Sequence, residues 1–428
     1  MLPAILSTII FILCLGIILA ERMHRTIIAM VGAVLVTAIG VSLEFFSESQ
    51  AAASVDFNTI SLIFGMMILV ALLEPTGFFQ YLAIWMGRMS RGQPFRMLVL
   101  LGSVTTVISM FLPNLTTVVL IAPATILLCE LLGIEPKPYL IAEALFANIG
   151  GVATLVGDPP NVLIASAAGF TFDDFLVHSL PIILVIWVIT MFALRWIFRV
   201  ELSRSVVDPD SIMKLKPGNV IKDRKTAVKV LVVLGCTIVL FLLEGVLHVR
   251  PGFIALAAAS TGLAWVQPSL EDTFNRIHWD ILIFFTGRFV MVGALEATGV
   301  LQALANLVIQ ANIQNPILLG LILIWVVAFL SAVVDNIPVT IALIPIIQSL
   351  AATGYPTELL WWGLVFGAGL GGNGTIIGST ANVVAVAFSE KTRFPITAQQ
   401  WMKSGLPVTL LSCAAASVLY LLVFGLFG

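Results

Sequence analysis

The sequence predicts an all-α polytopic membrane protein, and three observations carry that expectation. Of 428 residues, 60% are hydrophobic and only 10% are charged. Apolar runs near the spanning length of about 20 residues recur from end to end. Those runs are continuous, whereas barrel strands would alternate polar and apolar over about ten residues, and in hydrocarbon a continuous run satisfies its backbone only as a helix.

Taken in order, the first run, 3–20, has no basic residue before it and is followed by "ERMHR", so it reads as a spanning helix that starts outside the cell rather than a cleaved leader. Runs 26–43 and 59–87 follow, the second interrupted by "EPTG". An apolar pair, 97–132, carries "PNLTT" at its middle, and 138–168 carries "GDPPN" before 175–195 closes the first half. The polar stretch Arg195 to Lys229 holds nine of the 21 basic residues and is expected in the cytoplasm. The second half repeats the order with 229–247, 252–268 and 280–309. A pair over 316–351 then carries "DNIPVT", 356–389 contains "GNGTIIGSTAN", and 404–427 ends the chain. If each pair enters and leaves on one side as a re-entrant hairpin, 19 of the 21 basic residues fall inside and ten full spans remain, with both termini outside.

The halves align at an offset of 222 positions. Gly65, Glu74 and Gly77 meet Gly287, Glu296 and Gly299; Asn114 and Pro123 meet Asn336 and Pro345. At an offset of 221, Gly150, Gly151, Thr154, Gly157 and Asn161 meet Gly371, Gly372, Thr375, Gly378 and Asn382. Ordered coincidence of Gly, Asn, Thr and Glu marks a duplication. Five crossings per half, an odd number, invert the second copy. The expected domains are an N-terminal repeat 1–195, a cytoplasmic linker 196–228 and a C-terminal repeat 229–428, each repeat having five spans, a re-entrant hairpin and a broken helix. Paired interrupted segments in inverted halves are the sequence sign of a secondary transporter with its site near the midplane.

Four polar knots supply the candidate site. The substrate-binding candidates are Asn114, Thr116 and Thr117 in the first; Asn148, Thr154 and Asn161 around the second; Asn336 and Thr340 in the third; and Asn373, Thr375, Ser379 and Asn382 in the fourth. Asp158 and Asp335 are the candidates for proton or cation coupling, because desolvation makes a carboxyl exchange protons near neutrality. Glu74 and Glu296 are expected to cap the segments that follow them, and Glu130 and Glu143 to reach the interface. The cysteines Cys14, Cys129, Cys236 and Cys413 stand singly, so neither a disulfide framework nor a thiolate metal site is expected. The histidines fall in or near loops and are badly placed as buried proton relays.

"NIGGVATLVGDPPN" (148–161), "VVDNIPVTIALIP" (333–345) and "GLGGNGTIIGSTANVVA" (369–385) resemble the ion transporter superfamily: arsenite permeases (ArsB), sodium/proton antiporters of the NhaD type, the melanosomal P protein and divalent-anion/sodium symporters. The match is closest to the arsenite permease and P-protein branch. The resemblance implies two scaffold helices opening each half, hairpin tips at Asn114 to Thr117 and at Asn336 with Thr340, and unwound helices at Asp158 to Asn161 and Ser379 to Asn382. This chain departs from it at Pro113, where relatives often carry an acid, so the available acids are the asymmetrical Asp158 and Asp335.

The expected activity is proton-coupled efflux of arsenite and antimonite by alternating access, with sodium/proton exchange as the alternative and sodium-coupled divalent-anion symport behind it. Arsenious acid is uncharged near neutral pH and suits Asn, Thr and Asp, whereas an anion would meet two aspartates and only Arg288. An intramembrane aspartyl hydrolase using the two aspartates would not require duplicated Asn/Thr knots, so an enzyme is not expected. No cofactor is expected, although a bound sodium ion would fit the site. Partners are the inorganic solute, protons and the lipid bilayer, with no nucleic acid; the chain lacks a Walker sequence, and the Arg195 to Lys229 loop is where a soluble ATPase subunit could dock. The expected location is a bacterial or archaeal inner membrane.

Overall fold

The structure is a computed structural model that describes residues 2–19, 23–203, 217–300, 303, 315–333 and 336–426. Every regular element among them is helical. The longer helices are α1 (Leu2–Leu19), α2 (Arg25–Ser42), α3 (Phe57–Leu73), α4 (Phe78–Met89), α5 (Pro94–Ser109), α6 (Asn114–Leu132), α7 (Lys137–Val152), α8 (Pro159–Ala168) and α9 (Leu180–Ile197). After the linker come α10 (Arg224–Leu242), α11 (Pro251–Val266), α12 (Trp279–Ala297), α13 (Pro316–Val333), α14 (Asn336–Ala352), α15 (Glu358–Gly371), α16 (Thr380–Glu390) and α17 (Ala398–Leu426).

Local chemistry sets many of these ends. Helices α5, α8 and α11 open with proline, which needs no hydrogen-bond acceptor in the first turn. Helices α6 and α8 stop at Gly133 and Gly169, both left-handed, a conformation that costs glycine little. The Asp56 carboxylate caps α3 by accepting from Asn58 N at 3.0 Å and Thr59 N at 3.3 Å.

Among the described residues six helices are long and apolar enough to cross a membrane, including α6, α10 and α13; further apolar helices of 10–17 residues include α5, α14 and α15. Side chains such as Val188 and Phe192 on α9 and Val232 and Val239 on α10 are exposed, as a lipid-facing surface requires. Run 59–87 is not one helix: α3 ends at Leu73, a 3₁₀ turn covers Glu74–Thr76, and α4 restarts beyond Gly77 at φ +78°. The 138–168 and 356–389 runs are likewise split, into α7 with α8 and α15 with α16.

Two apolar cores organise the helices. One unites α2, α3 and α12 with contributions from α1, α10 and α11; the other gathers α5 to α9 with α13 to α17 and takes in further faces of α3, α10 and α11. Helix α3 lies against α11, and α2 lies against α12. A Cβ on Gly65 would come within 2.5 Å of the Ala255 backbone, and one on Gly287 within 2.7 Å of the Ala29 backbone. In the second core, α7 and α15 are buried on nearly every side; α15 is apolar beyond its first turn, whereas α7 also buries Glu143 and Asn148. Helix α6 packs on α16 and α14 packs on α8, so each hairpin's second helix meets the broken helix of the other half.

Candidate functional site

The breaks after α7 and α15 are built from the same hydrogen bonds. Thr154 Oγ1 donates to the Met110 carbonyl and Thr375 Oγ1 to that of Ala332. The Gly157 and Gly378 amides each donate to those threonine hydroxyls at 3.2 Å. Asn161 Nδ2 donates to the Gly151 and Thr154 carbonyls at 2.9 and 2.8 Å; Asn382 Nδ2 donates to Gly372 and Thr375 at 2.7 and 2.8 Å. Each amide thus satisfies two carbonyls that unwinding releases. Glycine is required at 157 and 378 because a Cβ would fall 2.6 Å from the Ser109 carbonyl oxygen and 2.7 Å from that of Gly372.

Onto these breaks the halves add different contacts. Asn148, on α7, donates through Nδ2 to Asn373 Oδ1 at 2.8 Å and Asn382 Oδ1 at 2.9 Å, and accepts from Ser379 Oγ at 2.8 Å. Asn373 Nδ2 lies 3.5 Å from the Leu145 carbonyl, and its own carbonyl accepts from Trp401 Nε1 at 3.1 Å. All four polar side chains are buried. Position 369, which corresponds to Asn148, is glycine, and a Cβ there would lie 2.1 Å from Val152, the counterpart of Asn373. The amide cluster therefore exists once, although the breaks exist twice.

Asp158 and Ser379 occupy corresponding N-cap positions but behave differently. Ser379 Oγ accepts from Ala381 N at 3.3 Å, a capping bond. Asp158 makes no side-chain cap; its Oδ2 accepts from Asn336 Nδ2, on the other half, at 2.9 Å. The carboxyl is 4% exposed. Asn114 Oδ1 lies 2.8 Å from Ser109 Oγ, which also approaches the Ala147 carbonyl at 2.7 Å. Thr116 and Thr117 are buried beyond it, and the Thr117 hydroxyl has no hydrogen-bond partner among the described residues. Thr340 Oγ1 donates back to the Asn336 carbonyl at 2.9 Å. Asp335 lies outside the described residues.

Two cavities approach this centre at corresponding places. One, of about 250 Å³, is lined by Glu74, Pro113, Thr116, Arg276 and His278. The other, of about 240 Å³, is lined by Asp56, Ser166, Glu296, Ile341 and Gln348. The Glu74 carboxylate, expected as a cap, instead pairs with Arg276 at 3.5 Å. Glu143, expected at the interface, is 1% exposed and accepts a hydrogen bond from Thr125. Sequence reasoning also missed Ser109 and Ser331, which donate to the Ala147 and Ala368 carbonyls; both are serines at the repeat offset, so the repeat carried that signal.

The side chains that bond Asn148 are neutral, and the amide of Asn336 donates to Asp158. Arg288 lies in the other core, its guanidinium 4.5 Å from the Phe284 ring centre. Broken helices around a buried polar centre, within an apolar helical shell, define an integral membrane protein of the transporter class.

The chain belongs to the citrate transporter family (CitMHS), within the ion transporter superfamily: the family profile matches residues 15–367. It is 37% identical over 423 residues to the 46 kDa membrane protein of Mycobacterium leprae, covering 97% of both chains. It is equally similar, at 37% over 424 residues and 97% of both chains, to a Mycobacterium tuberculosis protein named as a transporter. The human P protein is 32% identical over 490 residues, an alignment covering 95% of this chain and 58% of that longer protein. In fold it is similar to the Alcanivorax borkumensis YdaH transporter, with TM-score 0.62 and 15% identity over 99% of this chain and 98% of that one.

Proposed function

We propose that this membrane transporter is a proton-coupled exporter of arsenite and antimonite, working by alternating access between two inverted repeats, 1–195 and 229–428. The observation that carries the reading is the chemistry of the centre: neutral amides and hydroxyls of Asn148, Asn373, Asn382 and Ser379, with one described acid, Asp158, held by Asn336. Such groups offer donors and acceptors to an uncharged trihydroxy solute without a charge to neutralise. Asp158 and Asp335 are the coupling groups, and Asn114, Thr116, Thr117, Asn161, Thr154, Thr340 and Thr375 complete the lining or hold the breaks. In this scheme the hairpins are re-entrant, both termini lie outside a bacterial or archaeal inner membrane, and energy comes from the proton gradient. A bound sodium ion and an ATPase subunit docked on the 196–228 linker are compatible additions.

A second reading, cation-coupled citrate uptake, is favoured by the family's description and by helix geometry. Helices α8 and α16 begin at the centre, and a helix N-terminus carries about half a positive charge. Everted vesicles with an imposed pH gradient separate the readings when offered arsenite, citrate or sodium in turn. Gradient-dependent arsenite accumulation supports export, and citrate movement without arsenite movement replaces it with the second reading.

A further inference from the structure

Glu143 is a buried carboxyl that the site described above does not use. It lies at the middle of α7, 1% exposed, with Oε1 accepting from Thr125 Oγ1 on α6. Its Oε2 is buried without a hydrogen-bond partner among the described residues. The fold does not require an acid here. At the repeat offset Glu143 and Thr125 correspond to Leu364 and Ile347, both buried, and the same pair of helices packs there with aliphatic side chains.

The neighbourhood connects this carboxyl to water on one side and to a hairpin tip on the other. A cavity of about 510 Å³ opens beside the 133–136 turn and is lined by Ile126, Cys129, Glu130, Tyr139, Glu201 and Arg393. Cys129 and Tyr139 stand one helical turn from Thr125 and Glu143, so the cavity ends a turn away from the pair. This is the face that the basic loops assign to the cytoplasm. Toward the centre, Thr117 lies two turns from Thr125 on the same stripe of α6, its hydroxyl buried, and Asn114 follows.

Titratable groups around Glu143 are few. Helix α6 brings Cys129, buried, and Glu130, exposed; α7 itself brings Tyr139 and, at its start, Lys137. The charges on the other helices packed against α7 are Arg96 on α5, Arg195 on α9, Glu358 on α15, Glu390 on α16 and Lys403 on α17, and all are exposed. An ionised carboxylate without a cation is costly to bury, so protonation of Glu143 and access of water to it are linked.

We propose that Glu143 is a second proton-carrying site, loaded and unloaded through the 510 Å³ cavity. A proton from water in that cavity binds a carboxylate oxygen and neutralises it; release returns the proton to water and leaves the anion facing Thr125. The role in transport rests on the proton-coupled reading above, but the proton site itself does not.

Infrared titration of the purified full chain in lipid nanodiscs, from about pH 5 to pH 9, tests the site without any solute. The expected result is a protonated-carboxyl band that disappears in Glu143→Gln and in the Thr125→Ile/Glu143→Leu double variant, which copies the aliphatic pair of the other half and is expected to fold. Everted vesicles then carry the transport arm: Glu143→Gln should still exchange arsenite down its gradient while losing pH-driven accumulation, and Glu143→Asp should recover part of it. The site is overturned if no band in the wild type depends on Glu143. Its coupling role is overturned if Glu143→Gln accumulates arsenite with full dependence on the pH gradient. If the wild type moves no arsenite, the solute assignment fails and the infrared arm alone judges Glu143.

Discussion

Asn148 shows how one side chain can hold two halves of a chain together. Its Nδ2 serves Asn373 and Asn382, and Asn382 cannot rotate to help, because its own Nδ2 is committed to the Gly372 and Thr375 carbonyls. Asn148→Ala should therefore lower stability by about 1–3 kcal/mol, since buried groups lose partners. Asn148→Asp should be worse, because it turns acceptor against acceptor and adds a charge; thermal unfolding of the two purified variants ranks them, and equal midpoints would contradict the bonding described. Asp158 gives a different test. Asp158→Asn keeps an acceptor for Asn336 but cannot titrate, so the protein should fold and bind solute yet lose accumulation driven by a pH gradient. Asn336→Ala removes the donor and should weaken solute binding by up to about tenfold, at roughly 0.5–1.5 kcal/mol per hydrogen bond. Equilibrium binding to folded protein decides this, and wild-type affinity would move the site elsewhere.

At the scale of elements, close helix contacts and helix breaks divide the work. Gly65 lets α3 reach the backbone of α11, and Gly287 does the same for α12 against α2. In Gly65→Ala the new Cβ would stand 2.5 Å from the Ala255 backbone, so the helices must part. A loss of about 1–3 kcal/mol is expected from such overpacking. Gly235, in the interior of α10 with nothing within 4 Å of a built Cβ, is the control. Gly235→Ala should be neutral or stabilising by up to about 1 kcal/mol, because alanine is the better helix former. Melting curves that shift alike for both variants would show that the α3–α11 approach is not tight.

For the whole molecule, the corresponding cavities are the features that an inverted arrangement must place on opposite faces. His278 and Ser54 line one each, neither fully buried. In a background lacking the four native cysteines, His278→Cys is expected to label from the cytoplasm and Ser54→Cys from outside. Cysteines placed at Arg91 and Lys137 should both label from the cytoplasm. Labelling of His278 and Ser54 positions from a single face would rule out inversion, whatever the similarity of the two halves.

The sequence by itself determined the membrane class, the superfamily and, to within a few residues, the helix breaks: the non-helical stretches are 153–158 and 372–379, and Asn161 and Asn382, expected in unwound backbone, already lie inside α8 and α16. Those features depend on local chemistry: a long apolar run must be helical, and Gly, Pro, Asn and Thr mark where a helix in an apolar setting gives way. Thr154 with Asn161 and Thr375 with Asn382 stood out in the sequence for that reason, as solute-binding candidates, and in the structure they bond carbonyls within ten residues or at the neighbouring hairpin tip. Only the tertiary structure decided that Asn148 meets Asn382 and that Asp158 meets Asn336 rather than capping its own helix. It also decided that Glu143, expected to reach the interface, is buried at the middle of α7. Such contacts join residues far apart in the chain, and their identity is set by how helices of different halves pack, a property that no local run of residues encodes.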